Sequence, residues 1–113
     1  MAVTLDLNEL SCSMMDITLR DKDRTVVHLD IPTEELVQEL DAMQPELNNL
    51  KTGDFSAVRK IYELAAKVIN VNVDGFHVTA EDLPKKYGMN ILASLQFFNA
   101  YIDAVKALEN QKN

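Results

Sequence analysis

The sequence predicts a mainly α-helical single domain over residues 1–113, opened by a short β-hairpin and carrying three to five helices. Three observations support this. Apolar residues recur at steps of three and four along several stretches, which is the spacing of one helix face. One short stretch alternates apolar and polar residues, as a half-buried strand does. No internal repeat, low-complexity tract or linker divides the chain.

Residues 1–13 are mixed in character and read as weakly ordered or as an edge strand. The hairpin is expected over residues 14–31. Met14 to Leu19 and Thr25 to Ile31 are β-branched and apolar runs, and Val27, Leu29 and Ile31 alternate with His28 and Asp30. Between the runs, residues 20–24 are all charged and suit a solvated turn.

A first helix is expected over residues 33–50. Thr33 can cap it, and Glu34 and Glu35 suit the positive end of its dipole. Leu36, Leu40, Met43, Leu47 and Leu50 form one narrow stripe. Pro45 predicts a kink or break near residues 42–44, because it donates no hydrogen bond and its ring crowds the preceding turn. Gly53 ends the segment.

Asp54 is expected to cap a second helix over residues 54–70. Phe55, Val58, Ile61, Tyr62, Ala65, Val68 and Ile69 share one side of it, opposite Lys60, Glu63 and Lys67. Residues 70–75 are Asn-, Asp- and Gly-rich and read as a loop. A short helix over 79–86 starts at Thr79 and stops before Gly88. The last helix, over 89–111, has two adjacent stripes: Ile91, Leu95, Phe98, Ile102 and Val105, and then Phe97, Tyr101, Ala104 and Leu108. Together they span about half of the circumference, against roughly 100° for an ordinary surface helix.

Composition narrows the function. Hydrophobic residues make up 47% and charged residues 26% of the 113, so the chain can build a core. A net charge of -7 argues against nucleic acid and anionic membranes as partners. A single cysteine, Cys12, leaves no internal disulfide, and no apolar run approaches the ~20 residues of a membrane helix. With no signal-peptide pattern at the start, the expectation is a cytoplasmic protein.

Chemistry-bearing motifs are few. Asn70, Asn72, Asp74, Gly75 and Glu81 stand at the spacing of a calcium-binding EF-hand loop. Against that reading, the first position lacks its usual charge, His77 replaces an apolar residue, and Val78 cannot coordinate. An Asx-rich interhelical turn is the other reading. His28 and His77 have no partner set for a metal, and neither Cys12 nor the serines beside it form a nucleophile-and-base pattern. The expectation is therefore no enzyme, no cofactor and no metal. The two stripes of the last helix have two readings: both pack in the core, or one stays on the surface as an interface. The broad apolar faces of the second and last helices in so short a chain favour self-association or a partner helix. Phe97, Tyr101, Ala104 and Leu108 are the expected surface contacts, with Tyr62 as a second candidate.

Several segments together resemble a known family. They are residues 16–19, residues 25–30, the stretch Val78-Thr79-Ala80-Glu81-Asp82-Leu83, and Leu92 to Ile102 with its Phe97-Phe98-x-x-Tyr101-Ile102 core. From about Met14 to Asn110 the chain looks like the tail assembly chaperones of long-tailed phages and prophages of Gram-positive bacteria. The resemblance implies a small, mostly helical protein that self-associates into rings or spirals in the host cytoplasm. It implies that the protein coats the tape measure protein, helps tail tube protein assemble around it, and is not kept in the finished virion. Family members are often made in two lengths by a translational frameshift, the longer one recruiting the tube protein. Two competitors stand beside it: another helical adaptor or small regulator, and a calcium-responsive binding module built on residues 70–81.

Overall fold

The computed structural model describes residues 14–110. The expectation for residues 1–13 lies outside the described residues. The described chain is mainly helical, with an antiparallel two-stranded hairpin in front of four helices. These are β1 (Met15–Thr18), β2 (Val26–Leu29), α1 (Glu34–Lys51), α2 (Val58–Asn70), α3 (Asp82–Lys85) and α4 (Ile91–Asn110).

The hairpin register pairs Met15 with Leu29 and Ile17 with Val27. Alternation then sends Val27 and Leu29 into the core and leaves Val26 outside. The charged turn is held by Asp21, whose carboxylate accepts from the Thr25 backbone N–H at 2.8 Å and from the Thr25 hydroxyl at 2.6 Å. The far edge of β2 is also engaged. Asp30 N–H donates to the Val71 carbonyl, Val73 N–H donates to the His28 carbonyl, and Leu29 bridges Asn72. The segment after α2 thus acts as a short third strand.

α1 begins where its cap residue directs. Thr33 Oγ1 accepts from Leu36 N–H at 3.2 Å, and Glu34 and Glu35 occupy the first turn. Leu36, Leu40, Leu47 and Leu50 are buried on one stripe, with Met43 packed beside them. Of the kink or break expected near residues 42–44, the break does not occur: α1 continues across Pro45 to Lys51. Pro45 and Asp41, whose carbonyl it deprives of a partner, are both exposed, so water can satisfy that carbonyl. The leucine stripe holds the turns on either side of Pro45 against α2.

α2 is the central element, packed on α1, α4 and β2. It meets α1 through the Lys67–Glu39 ion pair at 2.9 Å and, further along, where Glu46 and Lys60 line one depression, which makes the two helices antiparallel. Ile61, Leu64, Ala65, Val68 and Ile69 are buried. Its start departs from expectation. Asp54 accepts from Ser56 N–H in an Asx turn, and the helix begins four residues later at Val58 without a side-chain cap. Phe55 therefore precedes the helix and stands 55% exposed instead of joining the buried face.

α3 is a single turn set up by Thr79, whose hydroxyl accepts from Asp82 N–H at 3.3 Å. Gly88 then reverses the chain at φ +66°. A Cβ there would stand 3.0 Å from the Arg20 carbonyl oxygen, so both conformation and space require glycine. The neighbouring Tyr87 carbonyl accepts from Arg20 N–H, which docks the hairpin turn on the α3–α4 connection. Asn90 caps α4, accepting from Ala93 N–H at 2.8 Å. Ser94, Phe98 and Tyr101 are buried in the centre of the molecule.

Candidate functional site

Three of the residues that stand at calcium-loop spacing, Asn70, Asn72 and Asp74, are committed to hydrogen bonds within the fold. Asn72 uses all of its hydrogen-bonding capacity: Nδ2 donates to the Ile69 and Phe76 carbonyls, and Oδ1 accepts from Asp74 and Phe76 N–H. Asn70 spans the loop, accepting from Val78 N–H at 2.8 Å and donating to the Val78 carbonyl at 2.9 Å. Asp74 turns back to β2, where its carboxylate accepts from His28 N–H at 2.7 Å and lies 3.1 Å from the His28 ring nitrogen. These contacts hold the Asp74 carboxyl below the usual aspartate range, mainly through the His28 backbone N–H. Glu81 is exposed at the start of α3. Among the described residues, no group of three or more His, Cys, Asp or Glu side chains could hold a metal ion. The side chains that match a calcium loop in sequence form an Asx-rich clasp between α2, β2 and α3.

The aromatic stripe of α4 is also placed differently from expectation. Phe97 is 8% exposed and Tyr101 fully buried, so Tyr101 lies inside and Phe97 shows only an edge. Phe97 packs against Phe98 and Tyr101, with ring centroids 5.4 and 5.8 Å away. The reason is register: Ser94, Phe97, Phe98 and Tyr101 form one face, and that face meets α2. Ala104 and Leu108, further along the same helix, are half-exposed. The Tyr101 hydroxyl has no hydrogen-bond partner among the described residues. Burial, with a smaller effect from the Asp30 carboxylate, pushes its pKa up to about 12.

Two of the surface depressions among the described residues involve residues expected at an interface, Phe97 and Tyr62. The first is a groove of about 320 Å³ between β1 and α4. Met15, Ile17 and Leu19 form one wall, and Tyr87, Met89, Ala93 and Phe97 form the other. Thr18, Arg20 and Gln96 are its polar members, and Leu92, 64% exposed, lies on the same helix turn as Ala93. The second is a cleft of about 290 Å³ between α2 and α3, lined by Val58, Arg59, Tyr62, Pro84 and Lys85 with Ala80 and Glu81. Tyr62 is half-buried there. Burial raises its hydroxyl pKa, and a hydrogen bond with Ser94 partly offsets the rise.

The chain matches no known family model, curated protein or solved structure. Among the described residues, no helix is long and apolar enough to cross a membrane.

The structure thus keeps Tyr62 at an open cleft, buries Tyr101, sets the largely buried Phe97 in the wall of the β1–α4 groove, and leaves Ala104 and Leu108 half-exposed. Sequence reasoning missed the β1–α4 groove. Its strand wall comes from the period-2 run Met15, Ile17, Leu19, and its helix wall from residues 87–97. No local pattern links those two segments, and only the tertiary fold brings them together.

Proposed function

We propose that this domain is a non-enzymatic, helical protein-binding module that works as a phage tail assembly chaperone. In this reading it self-associates and holds apolar segments of the tape measure protein, with the tail tube protein as a further partner. It acts in the host cytoplasm and leaves before the virion is complete. The β1–α4 groove is the observation that carries the reading. Most of its wall is apolar, and it includes two methionines, which adapt to irregular apolar surfaces. It is built partly on Ala93, Gln96 and Phe97, within the stretch where the family resemblance lies. A client helix with apolar residues at helical spacing is the kind of ligand such a groove accepts.

The test is co-expression with the tape measure protein of the same phage or prophage. Co-purification that is lost in Ala93→Arg, a half-exposed groove position, is the expected result. A soluble, well-folded wild-type protein that captures no tape measure protein would reject the reading.

A further inference from the structure

The two strands of the hairpin are unequally covered. On β2, Val27 and Leu29 are fully buried. On β1 their register partners Ile17 and Met15 are only half-buried. β2 lies between β1 and residues 71–73, so β1 is the outer strand. The open side of Met15 and Ile17 is the β1–α4 groove, which they line together with Ala93 and Phe97.

A segment that matches this groove stands directly ahead of β1 in the chain. In residues 3–7, Val3, Leu5 and Leu7 alternate with Thr4 and Asp6. That is the period of a strand with one apolar and one polar face, and Met15, Ile17 and Leu19 show the same period on β1. Residues 8–13 join the run to Met14 and include Asn8, Ser11 and Ser13, which suit a turn. At about 3.3 Å per extended residue this connection spans up to ~20 Å, against about 13 Å for the length of β1. The run can therefore turn back along β1. Laid antiparallel and in phase, it places Val3, Leu5 and Leu7 on the sheet face that looks at α4. The Arg20 N–H already donates to the Tyr87 carbonyl, which sets Leu19 as the far limit of such a pairing.

Tethering selects this occupant over a second copy. A segment on so short a connection is present at an effective concentration on the order of millimolar, which a free copy at micromolar concentration does not match. We infer that residues 3–7 lie along β1 of their own chain and seat Val3, Leu5 and Leu7 in the β1–α4 groove. The inference deepens the proposed function, since it concerns the same groove: residues 3–7 are a built-in occupant that a client must displace.

Nuclear magnetic resonance of the full chain tests the contact, with methyl-labelled protein diluted into an excess of unlabelled protein. Cross-peaks from the Leu5 and Leu7 methyls to those of Ile17 and Ala93 are expected. They should survive dilution, because both partners belong to one labelled molecule. Ala93→Arg should abolish them while a thermal melt still shows a folded domain. Leu5→Asp/Leu7→Asp should raise the fluorescence of an apolar dye at least about twofold, because it uncovers the groove. A wild type without these cross-peaks would overturn the inference. So would cross-peaks that vanish on dilution, which would give the groove to a second copy. Capture of the tape measure protein should rise in Leu5→Asp/Leu7→Asp. Persistent cross-peaks with no capture by either protein would reject the client reading and leave the docked segment standing.

Discussion

The first half of α4 and the loop over residues 70–78 both anchor α2, and they do it by opposite means. α4 contributes apolar volume: Phe98 and Tyr101 are fully buried, and Phe97 closes over them. The loop contributes little buried side-chain volume beyond Val78. It holds its place through Asn70, Asn72 and Asp74, whose side chains satisfy backbone groups of α2, β2 and the loop itself. Burial of the α4 type leaves a periodic trace in sequence, because 3.6 residues per turn decides which positions face inward. The loop's trace is ambiguous, because carboxamides and carboxylates that cap backbone can also coordinate calcium.

The largest effect is expected in the helix. Phe98→Ala removes a fully buried ring at the contact with α2 and should cost about 3–5 kcal/mol. A urea or thermal melt would show this as a large drop in midpoint. A loss below about 1 kcal/mol would mean that α4 is not the apolar anchor described.

Asn72→Ala should rank second. It removes four hydrogen bonds and leaves partly buried backbone groups of Ile69 and Phe76 without partners, at about 2–4 kcal/mol in total. Calcium sharpens the same point. With these oxygens committed, millimolar calcium should leave the melting temperature of the wild type unchanged. A calcium-dependent rise abolished by Glu81→Gln would break the comparison and restore the binding-loop reading.

Pro45→Ala tests the helix that needs no such anchor. It restores a hydrogen bond to the exposed Asp41 carbonyl and relieves crowding in the preceding turn, so a gain of about 1–3 kcal/mol is expected. Tyr101→Phe should be close to neutral, or stabilising by up to about 1 kcal/mol. It deletes a buried hydroxyl that has no partner among the described residues and keeps the ring.

Most of the fold could be read from the residues alone. Thr33, the leucine stripe of α1 and the alternation around Val27 each stated their local structure. What could not be read has a common cause. Asp54 was expected to cap α2, yet its carboxylate is equally suited to an Asx turn two residues on, and the choice depends on where α2 packs. Phe97 and Tyr101 belong to a broad apolar face. Periodicity gives the direction of such a face but not what covers it, so core and interface look alike until α2 is placed. Tyr62 sat on the same kind of face and remained at an open cleft. The β1–α4 groove joins residues about seventy positions apart, beyond the reach of any local pattern.

The smallest expected effect concerns the loop's electrostatic link to β2. The folded chain holds the Asp74 carboxyl below its ordinary value, chiefly through the His28 backbone N–H and then through the His28 ring. The folded state therefore binds a proton there less readily than the unfolded chain does. Its contribution to stability is complete above the unfolded aspartate value of about 3.9 and is lost as pH falls through the lower folded value. Asp21, held down mainly by the Thr25 hydroxyl, adds to stability in the same direction. Asp74 is exposed and Asp21 only half-buried, so the effect should be small and weakened further by salt. Melting curves from pH 6 to pH 2 should show the wild type losing stability on the acid side. Asp74→Asn should start from a lower value and show a shallower acid slope. If Asp74→Asn kept the wild-type slope, the loop would be held by its asparagines alone, and the link to β2 would be carried by the backbone bonds of Val71 and Val73.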